Sequence, residues 1–153
     1  MKGTTTMPNN IAIENAHILF RNFSGQENRF NLAGRRNFCV VIPDDDMAKC
    51  LIEDGWNVKR LHPKDEGDEE TPYLQVTVAF NSYPPKIVLI SGSNKTYLDE
   101  STVDMLDWAD IQNVDLVIRP YQWEVNGNRG VKAYVKSMYV TIDQDVFAEK
   151  YDA

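Results

Sequence analysis

The chain is poor in the residues that do most enzyme chemistry, and each shortage excludes something. It has two cysteines, two histidines and no apolar run long enough to cross a bilayer. Cys39 and Cys50 make neither a disulfide framework nor a zinc set, so both are expected as free, buried thiols in a reducing, cytoplasmic setting. His17 and His62 lack metal-spaced neighbours and are read as structural or surface residues. There is no phosphate-binding Walker motif, no Gly-x-Ser-x-Gly and no His-Glu-x-x-His. The acids of "PDDD" could hold Mg²⁺, but capping of a following helix explains the same three residues. No catalytic residue, metal or cofactor is therefore expected. The opening "MKGTTTMPNN" lacks the apolar core of a signal peptide, so residues 1–10 are expected to be a disordered tail.

What is present fits an ordinary soluble domain: 153 residues, 42% hydrophobic and 25% charged. Residues 11–142 are read as that single domain and 143–153 as an acidic tail. The net charge of −7 argues against a nucleic-acid partner, but its distribution does not. Between Phe20 and Phe38 lie four arginines and one glutamate, a net +3. Residues 44–70 carry −6 and the last eleven residues −3. A cationic surface and an anionic one can coexist.

The pattern along the chain predicts about seven strands and two short helices. "IAIENAHILFRNFSG" reads as one long strand, "RRNFCVVIP" as the second and "WNVKRLHP" as the third. "DDDMAKCLIEDG" reads as a helix capped by Asp44 and ended by Gly55. "PYLQVTVAF" and "KIVLI" read as a strand pair around the "NSYPP" turn. "DESTVDMLDWAD" reads as a second helix, with Ser101 and Asp104 spaced like a capping box. No segment is long enough for helical crossovers. A mainly β fold is expected, an antiparallel Greek-key barrel of the OB type with an extra hairpin.

The extra hairpin is "DLVIRPYQWEVNGNRGVKAYVKSMYVTI", residues 115–142. Asn126-Gly127 suits a type I′ turn, which needs φ > 0 at both positions. That turn pairs Glu124 with Arg129, Tyr121 with Lys132, Arg119 with Tyr134 and Val117 with Lys136. One face then carries Arg119, Tyr121, Trp123, Lys132, Tyr134 and Lys136. The other carries Leu116, Ile118, Ala133 and Val135. Rings with cations on an apolar back are what single-stranded nucleic acid requires: bases stack on rings and basic side chains meet phosphates. Such pairs also stabilise a sheet by themselves, and any one of these residues is more often structural than functional.

"FRNFSGQENRFNLAGRRNF" adds a second cationic segment. Arg21, Arg29, Arg35 and Arg36 are candidate phosphate contacts, and Phe30, in the loop, is the candidate stacking ring. Phe20 and Phe38 are expected in the core.

The hairpin, the Arg/Phe-rich first loop and the acidic C-terminus together resemble the small OB-fold single-stranded DNA-binding proteins of tailed bacteriophages. The likeness runs over residues 110–143 and more loosely over 20–43. It implies sequence-independent coating of single-stranded DNA in phage replication or recombination, inside the host cytoplasm. It also implies homodimers, and replication or recombination partners met through an acidic tail. "DQDVFAEKYDA" fits either such a tail or a frayed end. The alternative function is a non-enzymatic phage interaction or structural protein using the same hairpin as a protein interface, since Tyr, Trp and Arg also dominate protein hot spots.

Overall fold

The computed structural model describes residues 9–29, 31–62, 67, 69–81 and 83–143. The expected N-terminal tail to residue 8, Phe30, most of the acidic loop after His62 and the tail from residue 144 lie outside the described residues.

The described chain is mainly β. Its strands are β1 (Ile11–Ile13), β2 (Ile18–Asn22), β3 (Arg36–Val41), β4 (Val58–Leu61), β5 (Thr71–Val78), β6 (Lys86–Ser91), β7 (Asn94–Leu98), β8 (Ile111–Val125) and β9 (Asn128–Ile142). One α-helix, α1 (Asp45–Glu53), and one 3-10 helix (Val103–Asp107) complete it. The strands form one nine-stranded sheet whose main path is β1-β8-β9-β5-β3-β2. This is consistent with the OB-type barrel expected.

The first segment is two strands rather than one. β1 pairs with β8, while β2 pairs with β3 at the opposite end of the path. Asn15, at φ 49°, turns the chain between them. Ala16 N–H donates to the Val114 carbonyl at 2.7 Å, and His17 accepts from Val41 N–H at 2.9 Å. One short corner thus ties the two ends of the path together through the chain itself. Asn is among the few residues that tolerate such a φ.

The "NSYPP" strand pair does not form. β5 and β6 both pair with β9, and both are parallel to it. β9 is long enough to offer one edge twice: Ala133 and Tyr134 take β5, and Ser137–Ile142 take β6. The chain leaves that edge at Val78 and rejoins it further along, so two ladders are parallel where antiparallel pairing was expected. β6 turns back at Gly92 into β7, a strand whose polar, exposed "NKTY" hides the usual apolar signal.

Asp44 caps α1 as expected, accepting from Met47 N–H at 2.7 Å. Asp44→Ala should lower stability by about 1 kcal/mol, visible as a fall in melting temperature with no change in binding. The second helix is a single 3-10 turn, and the Ser101/Asp104 capping box is absent. Asp99 organises the turn instead: its Oδ1 accepts from Ser101 N–H and Oγ–H and from Thr102 Oγ–H. Those bonds hold its carboxyl below the usual carboxylate range.

The core lies between the sheet's inward faces. Phe23 and Phe38 stack at 5.1 Å and are fully buried, in one core cluster with Leu74, Val76, Leu116, Ile118 and Met138.

Candidate nucleic-acid interface

The hairpin β8–β9 closes on Asn126 (φ 52°) and Gly127 (φ 82°), as a type I′ turn demands. Its register runs Val125↔Asn128, Glu124↔Arg129, Trp123↔Gly130, Tyr121↔Lys132, Arg119↔Tyr134 and Ile118↔Val135. Leu116, Ile118, Ala133 and Val135 are buried, so the apolar back faces the core. The register then breaks: Val117 pairs with Ser137 rather than Lys136. Lys136 is the extra residue of a β-bulge. The bulge switches the buried positions of β9 from Val131, Ala133 and Val135 to Met138 and Val140.

Four of the six front residues, Arg119, Tyr121, Lys132 and Tyr134, form one contact set. Tyr121 meets Tyr134 edge-on at 6.0 Å. Lys132 Nζ sits 5.2 Å from the Tyr134 ring centroid. The Arg119 guanidinium lies between two rings, 4.8 Å from Tyr134 and 5.3 Å from Tyr83, and its Nε is buried without a hydrogen-bond partner. Trp123 lies across Gly130, close enough that a Cβ there would come within 2.9 Å of the indole. Tyr121 and Trp123 are 52% and 38% exposed.

This face does not stand alone. Thr77 of β5 is the register partner of Tyr134, and Asn37 and Cys39 of β3 partner Thr77 and Gln75. The outward residues of β9, β5, β3 and β2 therefore form one surface. Three adjoining concavities run along it. One, of about 510 Å³, holds Trp123, Arg129, Gly130 and Lys132. The next, about 410 Å³, shares Lys132, Gln75 and Thr77 with the first and adds Arg29 and Arg35. The third, about 990 Å³, shares Arg29 and Gln75 and ends at Phe20, Lys59, Tyr73 and Trp108. Together they make a groove from the hairpin to the first loop.

The first loop is held by asparagines. Asn31 Nδ2 lies within 3.1 Å of the carbonyls of Gln26, Leu32 and Arg35, and its Oδ1 accepts from Asn37 at 2.8 Å. Gly25, at φ 69°, brings the loop's two ends together: a Cβ there would meet the Gly34 backbone at 3.1 Å. Arg29 and Arg35 line the groove from this loop.

Arg21 and Arg36 have other employment. Arg21 lines the groove, but its Nη1 donates to the carbonyls of Leu106 and Ala109, both at 2.9 Å. Arg36 is half-buried, outside the groove, beside Glu100 and Asp104. Lys136 lines none of the three concavities, and neither do Arg119, Tyr121 and Tyr134, which reach the groove only through Lys132 against the Tyr134 ring.

Sequence reasoning missed Phe20, Lys59, Tyr73 and Trp108. Phe20 was expected in the core and is 62% exposed. Its φ of 52° belongs to a bulge between Leu19 and Asn22, which upsets the two-residue alternation and turns its ring outward. Trp108 is 71% exposed, and "DWAD" was a usable sign of that, since acids flank it on both sides. On the groove floor, burial pushes the Cys39 thiol up, with Lys59 partly opposing. Cys39 is thus a neutral thiol wall, whereas Cys50, expected to be buried, is exposed because α1 turns Ala48 and Leu51 inward instead. Among the described residues no three His, Cys, Asp or Glu gather to hold a metal, and no helix is long and apolar enough to cross a membrane.

An aromatic and cationic groove on the outer face of a β-barrel defines a class of single-strand binder, and comparison with known proteins places the chain within it. A family model described as "Putative phage ssDNA-binding domain" matches residues 2–153, and the chain belongs to that family. Among solved structures, it is similar to the single-stranded DNA-binding protein of bacteriophage Enc34 in complex with ssDNA. The TM-score is 0.58 at 13% identity, over 91% of this chain and 89% of that one. The C-terminal truncation of the same phage protein gives 0.55 at 14% identity, over 89% and 87%. At such identities the likeness is one of fold. A search of curated proteins finds no match.

Proposed function

We propose that the chain coats single-stranded DNA, independent of sequence and without catalysis, in phage replication or recombination. Bases stack on Trp123, Tyr121 and Tyr134, while Lys132, Arg29 and Arg35 neutralise phosphates. The observation that carries this reading is the continuity of the groove: Lys132 lines both the hairpin concavity, with Trp123, and the loop concavity, with Arg29 and Arg35, and its Nζ also meets the Tyr134 ring. Arg119, held between two tyrosines, positions the Tyr134 ring and adds positive potential to the same face. Residues 143–153, with their net −3, suit contact with replication or recombination proteins and competition with DNA for this face. Pairing of two copies would lengthen the path.

Titration of labelled dT and rU oligomers, with duplex as control, tests the reading. Binding of dT that weakens steeply with salt is the expected result. Absence of dT binding at low salt would leave the hairpin as a protein interface. Lys132→Ala should weaken binding modestly and reduce the slope of log K against log salt by about one counterion. An unchanged slope would take Lys132 off the phosphate path.

A further inference from the structure

We propose that Phe20, Tyr73 and Trp108 form a second base-stacking site at the far end of the groove, separate from the hairpin rings. This deepens the single-strand reading and rests on it. Three observations carry it.

The rings are exposed where rings are rarely left exposed. Phe20 and Trp108 are 62% and 71% accessible, and Phe20 meets Tyr73 edge-on at 6.2 Å, 70° between planes. All three line the same 990 Å³ concavity, beside Lys59. Next, the presentation is built. Phe20 holds a left-handed φ that a bulky residue adopts only where its surroundings impose it. The 3-10 helix that leads into Trp108 is stapled to the β2 segment from both sides. Arg21 donates to the carbonyls of Leu106 and Ala109, and Asp107 accepts from Phe23 N–H, Ser24 N–H and Ser24 Oγ–H. The backbone on either side of Trp108 is thus tied to the segment that carries Phe20 before any ligand arrives. Finally, the two ring clusters are apart. The concavity between them is lined by Arg29, Arg35, Lys132, Leu32 and polar residues, with no aromatic side chain among the described residues. Strands β3 and β5 lie between β2, which carries Phe20, and β9, which carries Lys132, so three spacings of about 4.8 Å set them about 14 Å apart.

Such a site has a ring platform at each end and a cationic floor between, so only a strand of several nucleotides engages both. The test is a dT length series, from about 4 to 16 nucleotides, on the full chain. The wild type should gain affinity sharply once the oligomer reaches the second cluster. The F20A/W108A double variant should lose that gain, about 5- to 150-fold or more on the longest oligomer and little on the shortest. Trp108→Phe keeps a stacking ring and should restore most of it, which separates lost stacking from misfolding. Trp108 fluorescence should still be quenched by dT in the Trp123→Ala variant, and that quenching should be lost in W108F/W123A, the control for Trp56 in the hairpin concavity. If F20A/W108A matches the wild type at every length while Trp123→Ala weakens binding, the second site is overturned and the hairpin reading stands. If the wild type binds no dT oligomer, both fall.

Discussion

Trp123→Ala is expected to weaken binding of a long dT oligomer by about 1–3 kcal/mol, roughly five- to 150-fold, with the salt slope nearly unchanged. The two signs separate stacking from charge, since removing an indole releases no counterion. Geometry supports the assignment. Trp123 sits on the arm of the β8–β9 hairpin, where residues 121–129 are all exposed, so it is not a core side chain. One part of the indole rests on Gly130, and the remainder faces the concavity shared with Lys132 and Arg129. Gly130 supplies an independent check. Its Cα hydrogen allows the indole to lie flat, and a methyl there would overlap the ring at 2.9 Å. Gly130→Ala should therefore lower affinity in the same direction as Trp123→Ala, without removing any ring or charge. A structural Trp123 would behave otherwise: its truncation would lower stability by about 3–5 kcal/mol and leave affinity per folded molecule intact. Melting temperature and affinity measured on the same variant decide between the two.

The hairpin was legible because three signals agreed. The Asn126-Gly127 turn set the register, the apolar set Leu116, Ile118, Ala133 and Val135 fixed which face is inward, and a slip would have buried cations. What the pattern concealed were places where one residue breaks the period. Lys136 is inserted as a bulge, so Val117 meets Ser137. The shift was present in the sequence as a change of buried parity from Val135 to Met138, but a change of parity also fits the end of a strand. Phe20 was hidden in the same way, since a bulge with a left-handed φ aims two successive side chains outward. The parallel ladders of β5 and β6 were beyond reach for a different reason. Strand pairing across 50 or more residues is decided by the length of β9, which gives one edge to two strands in turn, and local propensity carries no trace of that.

The arginines illustrate how composition overstates a site. Four arginines in nineteen residues suggested one cationic patch. The structure divides them by task. Arg29 and Arg35 line the groove, Arg21 fastens the 3-10 helix, and Arg36 sits among Glu100 and Asp104 outside it. Lysines from distant segments take their place: Lys59 from β4 and Lys132 from β9 meet the same groove through sheet topology. A charge run along the chain is thus a weaker guide to an electrostatic path than the order of strands.

Two phenylalanines three positions apart should fail in opposite ways, and the contrast is the second large effect. Phe23→Ala is expected to destabilise the fold by about 3–5 kcal/mol. Phe23 is fully buried, stacked on Phe38 at 5.1 Å, and its removal opens a cavity that the packed neighbours cannot fill by small shifts. Against a typical total of about 5–15 kcal/mol, that loss would leave the domain marginal at working temperature. Affinity per folded molecule should hold, because the Phe23 ring is wholly inside the core and presents nothing to a ligand. Phe20→Ala should do the reverse. Its ring is mostly in solvent, and losing it removes little buried area while relieving no more than the crowding of a left-handed residue. Its melting temperature should move little, and its affinity for long dT oligomers should fall. Denaturant titration and oligomer binding on the pair give four numbers. Equal loss of stability in both would mean that Phe20 packs as a core residue in solution, and equal loss of affinity would mean that the groove's shape, rather than the Phe20 ring, holds the strand.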